Sequence, residues 1–115
     1  MAINSLQLLK IFSVGILLFS SVTFAGNHRI FMKSLSFEPK LLEIKLGDSV
    51  EWENASYTEH SATAYIDDNK VVKFDTGLIQ PKKNSKKIEF KDVGTFSYHC
   101  SVHGKMMSGK ITVTK

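Results

Sequence analysis

Between positions 100 and 107 the chain sets one thiol, one imidazole and two thioethers close together: Cys100, His103, Met106 and Met107. Thiolate and thioether sulfur suit Cu(I), and imidazole nitrogen also accepts Cu(II), so one short segment can serve both oxidation states of the same metal. A second imidazole stands forty positions before the cysteine, at His60 in Tyr57-Thr58-Glu59-His60-Ser61. Two imidazoles, a thiolate and a weak axial thioether form the trigonal set associated with electron transfer. Such a set is full, whereas a catalytic metal keeps a position open for water or substrate. Zinc fits poorly, because methionine is a poor zinc ligand and the thiolate stands alone.

Taken singly, each residue has a plainer reading. A lone buried cysteine is ordinarily an inert small hydrophobe, and a lone histidine in a β-protein is ordinarily a hydrogen-bonded structural residue. Cys100 is the only cysteine, so it cannot be an intramolecular staple, and small exported domains that rely on disulfides carry cysteines in pairs. The company of His103 and the methionines is what points to ligation. His99 adjoins Cys100, but strand alternation sends it to the opposite face, so it is read as a non-ligand.

A β-framework has to bring His60 to this segment. No stretch after residue 25 carries a helical period, and short β patterns fall at residues 29–37, 41–46, 50–54, 61–66, 71–74, 85–90, 95–99 and 110–114. Turn signals separate them at Gly47-Asp48, Asp67-Asp68-Asn69 and Asp92-Val93-Gly94. About eight short strands without crossover helices predict an all-β Greek-key sandwich. Alternation pairs Val50 with Trp52, Ile88 with Phe90, Phe96 with Tyr98 and Ile111 with Val113 as the core.

At 115 residues and 43% hydrophobic content the chain has room for one domain. Residues 1–25 read as a secretory leader, with Lys10 before an apolar run that ends in Thr23-Phe24-Ala25; an uncut membrane anchor is the alternative, though the run is short for a span. Cleavage near Ala25 leaves residues 26–115 as the domain, with 14 basic and 11 acidic residues and a net charge of +3. The lysines at 82, 83, 86 and 87 have no aromatic residues among them, so we read a solvated edge and expect no nucleic-acid partner. His28 follows the cleavage point closely. It would reach a metal together with the new amino group, but a frayed terminus is the expected state.

The whole segment after residue 25 resembles the cupredoxins, the type 1 or blue copper proteins, and is most similar to their amicyanin, plastocyanin and pseudoazurin branch. The resemblance is carried by Lys45-Leu46-Gly47-Asp48-Ser49-Val50-Glu51-Trp52, by Phe74-Asp75-Thr76-Gly77-Leu78-Ile79-Gln80-Pro81, and by Gly94-Thr95-Phe96-Ser97-Tyr98-His99-Cys100 with Ser101-Val102-His103. It implies one copper per chain, held by His60, Cys100 and His103, and a one-electron carrier working between larger redox partners; the full ligand set argues against an enzyme, and the leader with one small domain fits a monomer in the periplasm. The axial methionine is placed differently by two branches. Amicyanin-like spacing gives Met106, and plastocyanin-like register before the last strand gives Met107, which strand pairing favours. The family commonly has an asparagine after its first histidine, where this chain has Ser61, so the hydrogen bonds that tie the two ligand segments must be weaker or rebuilt. The resemblance also implies an exposed edge at His103, with Gly104, Lys105 and Met106 around it; Gly104-Lys105 departs from the more apolar residues usual there, and the charge of Lys105 is what suggests an acidic docking face on the partner. Copper storage or delivery in the cell envelope is the rival function for the same residues.

Overall fold

The computed structural model describes residues 24–66 and 71–115. The expected leader lies outside the described residues except for its last two positions, and so does the Asp67-Asp68-Asn69 turn. Nine strands follow in order: β1 (Asn27–Met32), β2 (Phe37–Glu38), β3 (Leu41–Lys45), β4 (Ser49–Asn54), β5 (Thr63–Ile66), β6 (Val71–Asp75), β7 (Ile88–Glu89), β8 (Gly94–Cys100) and β9 (Gly104–Thr114). They form a four-stranded sheet ordered β2-β1-β4-β7 and a five-stranded sheet ordered β3-β9-β8-β5-β6. β1 runs parallel to β4 and β3 parallel to β9, while the remaining pairs are antiparallel. The all-β sandwich expected from the sequence is the observed architecture.

The count differs from eight because the stretch expected at 29–37 breaks in two. Lys33 donates its N–H to the Ser36 carbonyl at 2.8 Å, and the chain folds back so that β2 pairs with β1. The stretch expected at 85–90 keeps only Ile88–Glu89 as strand. Ser85 still joins β4, but partly through its hydroxyl, which accepts the Trp52 N–H at 2.9 Å. The largest difference is at the last strand, which begins at Gly104 and not at 110. Most of the sulfur-rich segment is therefore strand, and only residues 101–103 remain as a turn.

The core lies between the sheets. Ile30, Met32, Val50 and Trp52 meet Ile44, Tyr98, Ile111 and Val113, all of them buried, and Ile88 and Phe96 pack at its edge. Trp52 is set between the Phe74 and Tyr98 rings, with centroids 5.6 and 5.7 Å away. Two glycines let β9 turn back close to β8. Gly104 takes φ +66, a left-handed value that other residues adopt only at a cost, and a Cβ at Gly109 would collide with the Tyr98 hydroxyl.

His28 is not frayed. It lies inside β1, opposite Val50 of β4, and its Nε2 is 2.9 Å from Asp48 Oδ2. Strand pairing from Asn27 onward explains the difference, because it orders the chain from its second residue past the expected cleavage point.

Candidate metal centre

Three of the residues singled out in the sequence converge at one end of the sandwich. The Cys100 Sγ lies 3.7 Å from His60 Nδ1 and 3.6 Å from His103 Nδ1. The donor atoms of His60, Cys100 and His103 all fall within 4.8 Å of one another. This is a spacing that one metal ion can bridge, and the donors are two imidazole nitrogens and one sulfur, the soft-and-borderline set that copper takes. His60 and Cys100 are fully buried and His103 is partly exposed.

Different elements deliver each donor. Cys100 ends β8, and His103 closes the 101–103 turn that leads into β9. His60 stands just before β5 and is held by an isolated bridge to Ile79, whose N–H donates to the His60 carbonyl at 2.7 Å. The His60 ring is fixed from behind: Thr58 Oγ1 sits 3.2 Å from Nε2, which leaves Nδ1 facing the sulfur. Burial, with the field of His103 beside it, holds the His60 imidazole below the usual histidine range, so its metal-binding lone pair is free at neutral pH.

The methionines separate by burial. β8 pairs with β9 as Tyr98↔Gly109 and His99↔Ser108, and the register then shifts so that Cys100 pairs with Gly104, which leaves Met106 and Met107 in the stretch of β9 between these pairs. Met107 is fully buried on the inward face shared with Ile111 and Val113, whereas Met106 is 77% exposed. His99 faces the other way and stacks on Tyr65, with centroids 5.6 Å apart.

Of the two outcomes expected for the tie, weakened or rebuilt, Ser61 gives the second. Its Oγ accepts the Ser101 N–H at 2.9 Å and also lies 2.9 Å from the Ser101 hydroxyl, so it joins the His60 segment to the cysteine turn. The same oxygen is 2.9 Å from Thr63 Oγ1, which donates to Asp75 Oδ1 at 3.0 Å. The Ser61 N–H points at Cys100 Sγ from 3.4 Å, a contact of the kind that orients a ligating sulfur and tunes its donor strength.

Sequence reasoning missed the residues beneath His60. Fully buried Asn54 donates through Nδ2 to the carbonyls of Thr58 (2.8 Å) and Ile79 (2.9 Å), and its Oδ1 accepts the Ser56 N–H at 2.9 Å and the Ser56 hydroxyl at 2.7 Å. Asn54-Ala55-Ser56 carries the signal of an Asx turn, in which a side-chain amide caps the backbone two residues on. That signal was available, but nothing in it says that a ligand follows.

Comparison with known proteins agrees with this geometry. The family described as copper binding proteins, plastocyanin/azurin family, matches residues 27–114. Amicyanin of Paracoccus denitrificans is 30% identical over 90 residues, which are 76% of this chain and 66% of that protein. Chloroplast plastocyanin of Fritillaria agrestis is 33% identical over 90 residues, 70% of this chain and 53% of that protein. The chain thus spans just under two thirds of the first relative and about half of the second. A purple cupredoxin from Nitrosopumilus maritimus has a similar structure, with TM-score 0.65 and 25% identity over 76% of this chain and 99% of that one. An oxidised methionine-to-lysine variant of amicyanin shares the fold, with TM-score 0.66 and 21% identity over 82% of this chain and 86% of that one.

Proposed function

The chain belongs to the plastocyanin/azurin family of copper-binding proteins, and from that premise we propose that it is an exported one-electron carrier whose single copper is held by His60, Cys100, His103 and, axially, Met107. The observation that carries this reading is the convergence of two imidazole Nδ1 atoms on one buried, unpaired sulfur. When bound, copper supplies a one-electron couple between Cu(I) and Cu(II).

The chain's own residues supply the rest. Thr58 and the Ile79 bridge keep His60 in place, and Ser61 locks the cysteine turn to it, so the donors move little between oxidation states. Burial of Cys100 and Met107 keeps water from the sulfur side. The partly exposed His103, with Gly104, Lys105 and exposed Met106 around it, forms the edge through which electrons pass to a partner. No substrate bond is made or broken. Lys105 gives that edge a positive charge suited to an acidic partner, and Lys105→Glu is expected to slow reduction by such a partner at low salt, with the gap closing as salt rises.

Residues 1–25 are the leader in this reading, removed near Ala25 to release residues 26–115 as a monomeric periplasmic domain. No helix among the described residues is long and apolar enough to cross a membrane.

The test is to titrate the metal-free protein with one equivalent of Cu(II) and record its visible and electron-spin spectra. An intense sulfur-to-copper band with small hyperfine splitting, bleached by ascorbate and restored by oxidant, is the expected result. A pale spectrum of ordinary tetragonal copper would sink the carrier reading. Exposed Met106 beside His103 favours one rival, copper delivery, because a surface thioether can receive Cu(I) on its way out. Fast copper transfer to an acceptor chelator with slow electron self-exchange would put delivery ahead.

A further inference from the structure

We infer that leader removal creates a second metal site at the new amino terminus, a planar four-nitrogen site for Cu(II) or Ni(II) formed by Gly26, Asn27 and His28. The inference rests on the proposed cut after Ala25. That cut leaves a free α-amino group on Gly26 and makes histidine the third residue of the mature chain. An α-amine, the next two peptide nitrogens and the Nδ1 of a third-position imidazole close three fused chelate rings on one ion. Four nitrogens in a plane are the arrangement that Cu(II) and Ni(II) favour.

The fold gathers the two ends of this chelate on a single carboxylate. Asp48 Oδ1 accepts from the Gly26 nitrogen at 2.7 Å, and Asp48 Oδ2 lies 2.9 Å from His28 Nε2. A carboxylate on one ring nitrogen is the usual support of a ligating histidine, and here it commits Nε2 and leaves Nδ1 for the metal. The His28 side chain is 30% exposed, so an ion can reach it from solvent.

The chelate and the strand compete over only two residues. The nitrogens of Asn27 and His28 must leave the rungs Asn27↔Ser49 and His28↔Val50, together with the bonds from Ser49 to Gly26 O and Asn27 Oδ1. Four rungs remain, from Arg29↔Glu51 to Met32↔Asn54, and with them the buried Ile30 and Met32. The site therefore unzips an edge and spares the core. Binding replaces one proton of the α-ammonium and one on each of two amides; three protons leave, and the metal keeps its oxidation state. Affinity consequently rises with pH. None of these atoms belongs to the cluster of His60, Cys100 and His103.

The experiment uses the exported protein, its amino terminus read by mass spectrometry and its Cys100 site first filled with one equivalent of copper. Titration with Ni(II) is expected to show uptake of one equivalent, with the visible band of planar low-spin nickel and an unchanged sulfur-to-copper band. His28→Ala, and a variant with one residue added before Gly26 in the mature chain, should both lose that uptake while their sulfur-to-copper band reports an intact fold. A mass that places the terminus elsewhere overturns both the cleavage reading and this site, and the copper spectrum of the same sample is read independently. A terminus at Gly26 without nickel uptake, or uptake retained in His28→Ala, overturns the site alone.

Discussion

The two halves of the metal centre are built on opposite principles. The His60 half is buried and over-determined: a backbone bridge to Ile79, a hydroxyl from Thr58 on its ring, and four hydrogen bonds from Asn54 beneath it. The other half hangs on the 101–103 turn. There His103 is partly exposed, Met106 stands in solvent, and the main restraints are the contacts of Ser61 with Ser101 and Cys100. One side holds geometry and the other gives access. An electron carrier needs both, because moving ligands slow the transfer and a fully buried metal keeps partners too far away.

The largest expected effect removes what both halves share. Cys100→Ser should abolish the sulfur-to-copper band altogether, in visible spectra of the copper-titrated protein, while circular dichroism still shows the β-fold. Next comes the contrast between the imidazoles. His60→Ala and His103→Ala should each lose the native spectrum, but added free imidazole should restore it in His103→Ala alone, since only that side opens to solvent. Equal rescue of both would erase the asymmetry.

The methionines sharpen it further. Met107→Ala leaves a cavity among fully buried side chains and should cost about 2–5 kcal/mol in denaturant melts, with a changed visible spectrum. Met106→Ala, at an exposed position, should stay within about 0.5 kcal/mol with its spectrum unchanged. Reversed spectral effects would make Met106 the axial ligand. Asn54→Ala strips partners from two carbonyls and a buried N–H at once, and about 2–3 kcal/mol of lost stability is expected. If the rigid half works as described, the same variant also broadens the copper spectrum.

Much of this was legible in the chain, for identifiable reasons. Donor chemistry and spacing were enough to single out Cys100, His103 and His60, because few residue types bind soft metals. Alternation placed His99 outward and Val50, Trp52, Tyr98, Ile111 and Val113 inward, since period-2 patterning is local. Register before the last strand prefers Met107 to Met106, and the two differ in burial, Met107 being buried and Met106 exposed. What escaped was non-local. That Ser61 would reach Ser101 across forty positions, or that Asn54 would brace the Ile79 carbonyl 25 positions away, depends on how the sheets stack. The early start of β9 escaped because Gly104 and Gly109 read as loop residues; as strand residues they permit close approach to Tyr98. His28 was read as frayed because nothing in its neighbours announces that Asp48, twenty positions away, will hold it.

Asp48 also supplies the gentlest way to separate the metal end of the molecule from its amino-terminal corner. The Gly26 backbone N–H, the His28 side chain and the Lys45 backbone N–H all donate toward this carboxylate and lower its pKa from 3.8 to about 2, with burial pulling weakly the other way. A carboxyl depressed in the folded state binds fewer protons there than in the unfolded chain. Its stabilisation is therefore complete above about pH 4 and drains away as pH falls through about 2. The melting temperature of the metal-free protein should fall more steeply across that window than that of Asp48→Asn, whose amide cannot titrate. Parallel curves would remove Asp48 from the acid transition. Because none of its partners touches His60, Cys100 or His103, the same substitution should leave the copper spectrum at neutral pH unaltered; a shifted band would mean that the corner and the metal end are coupled through β4.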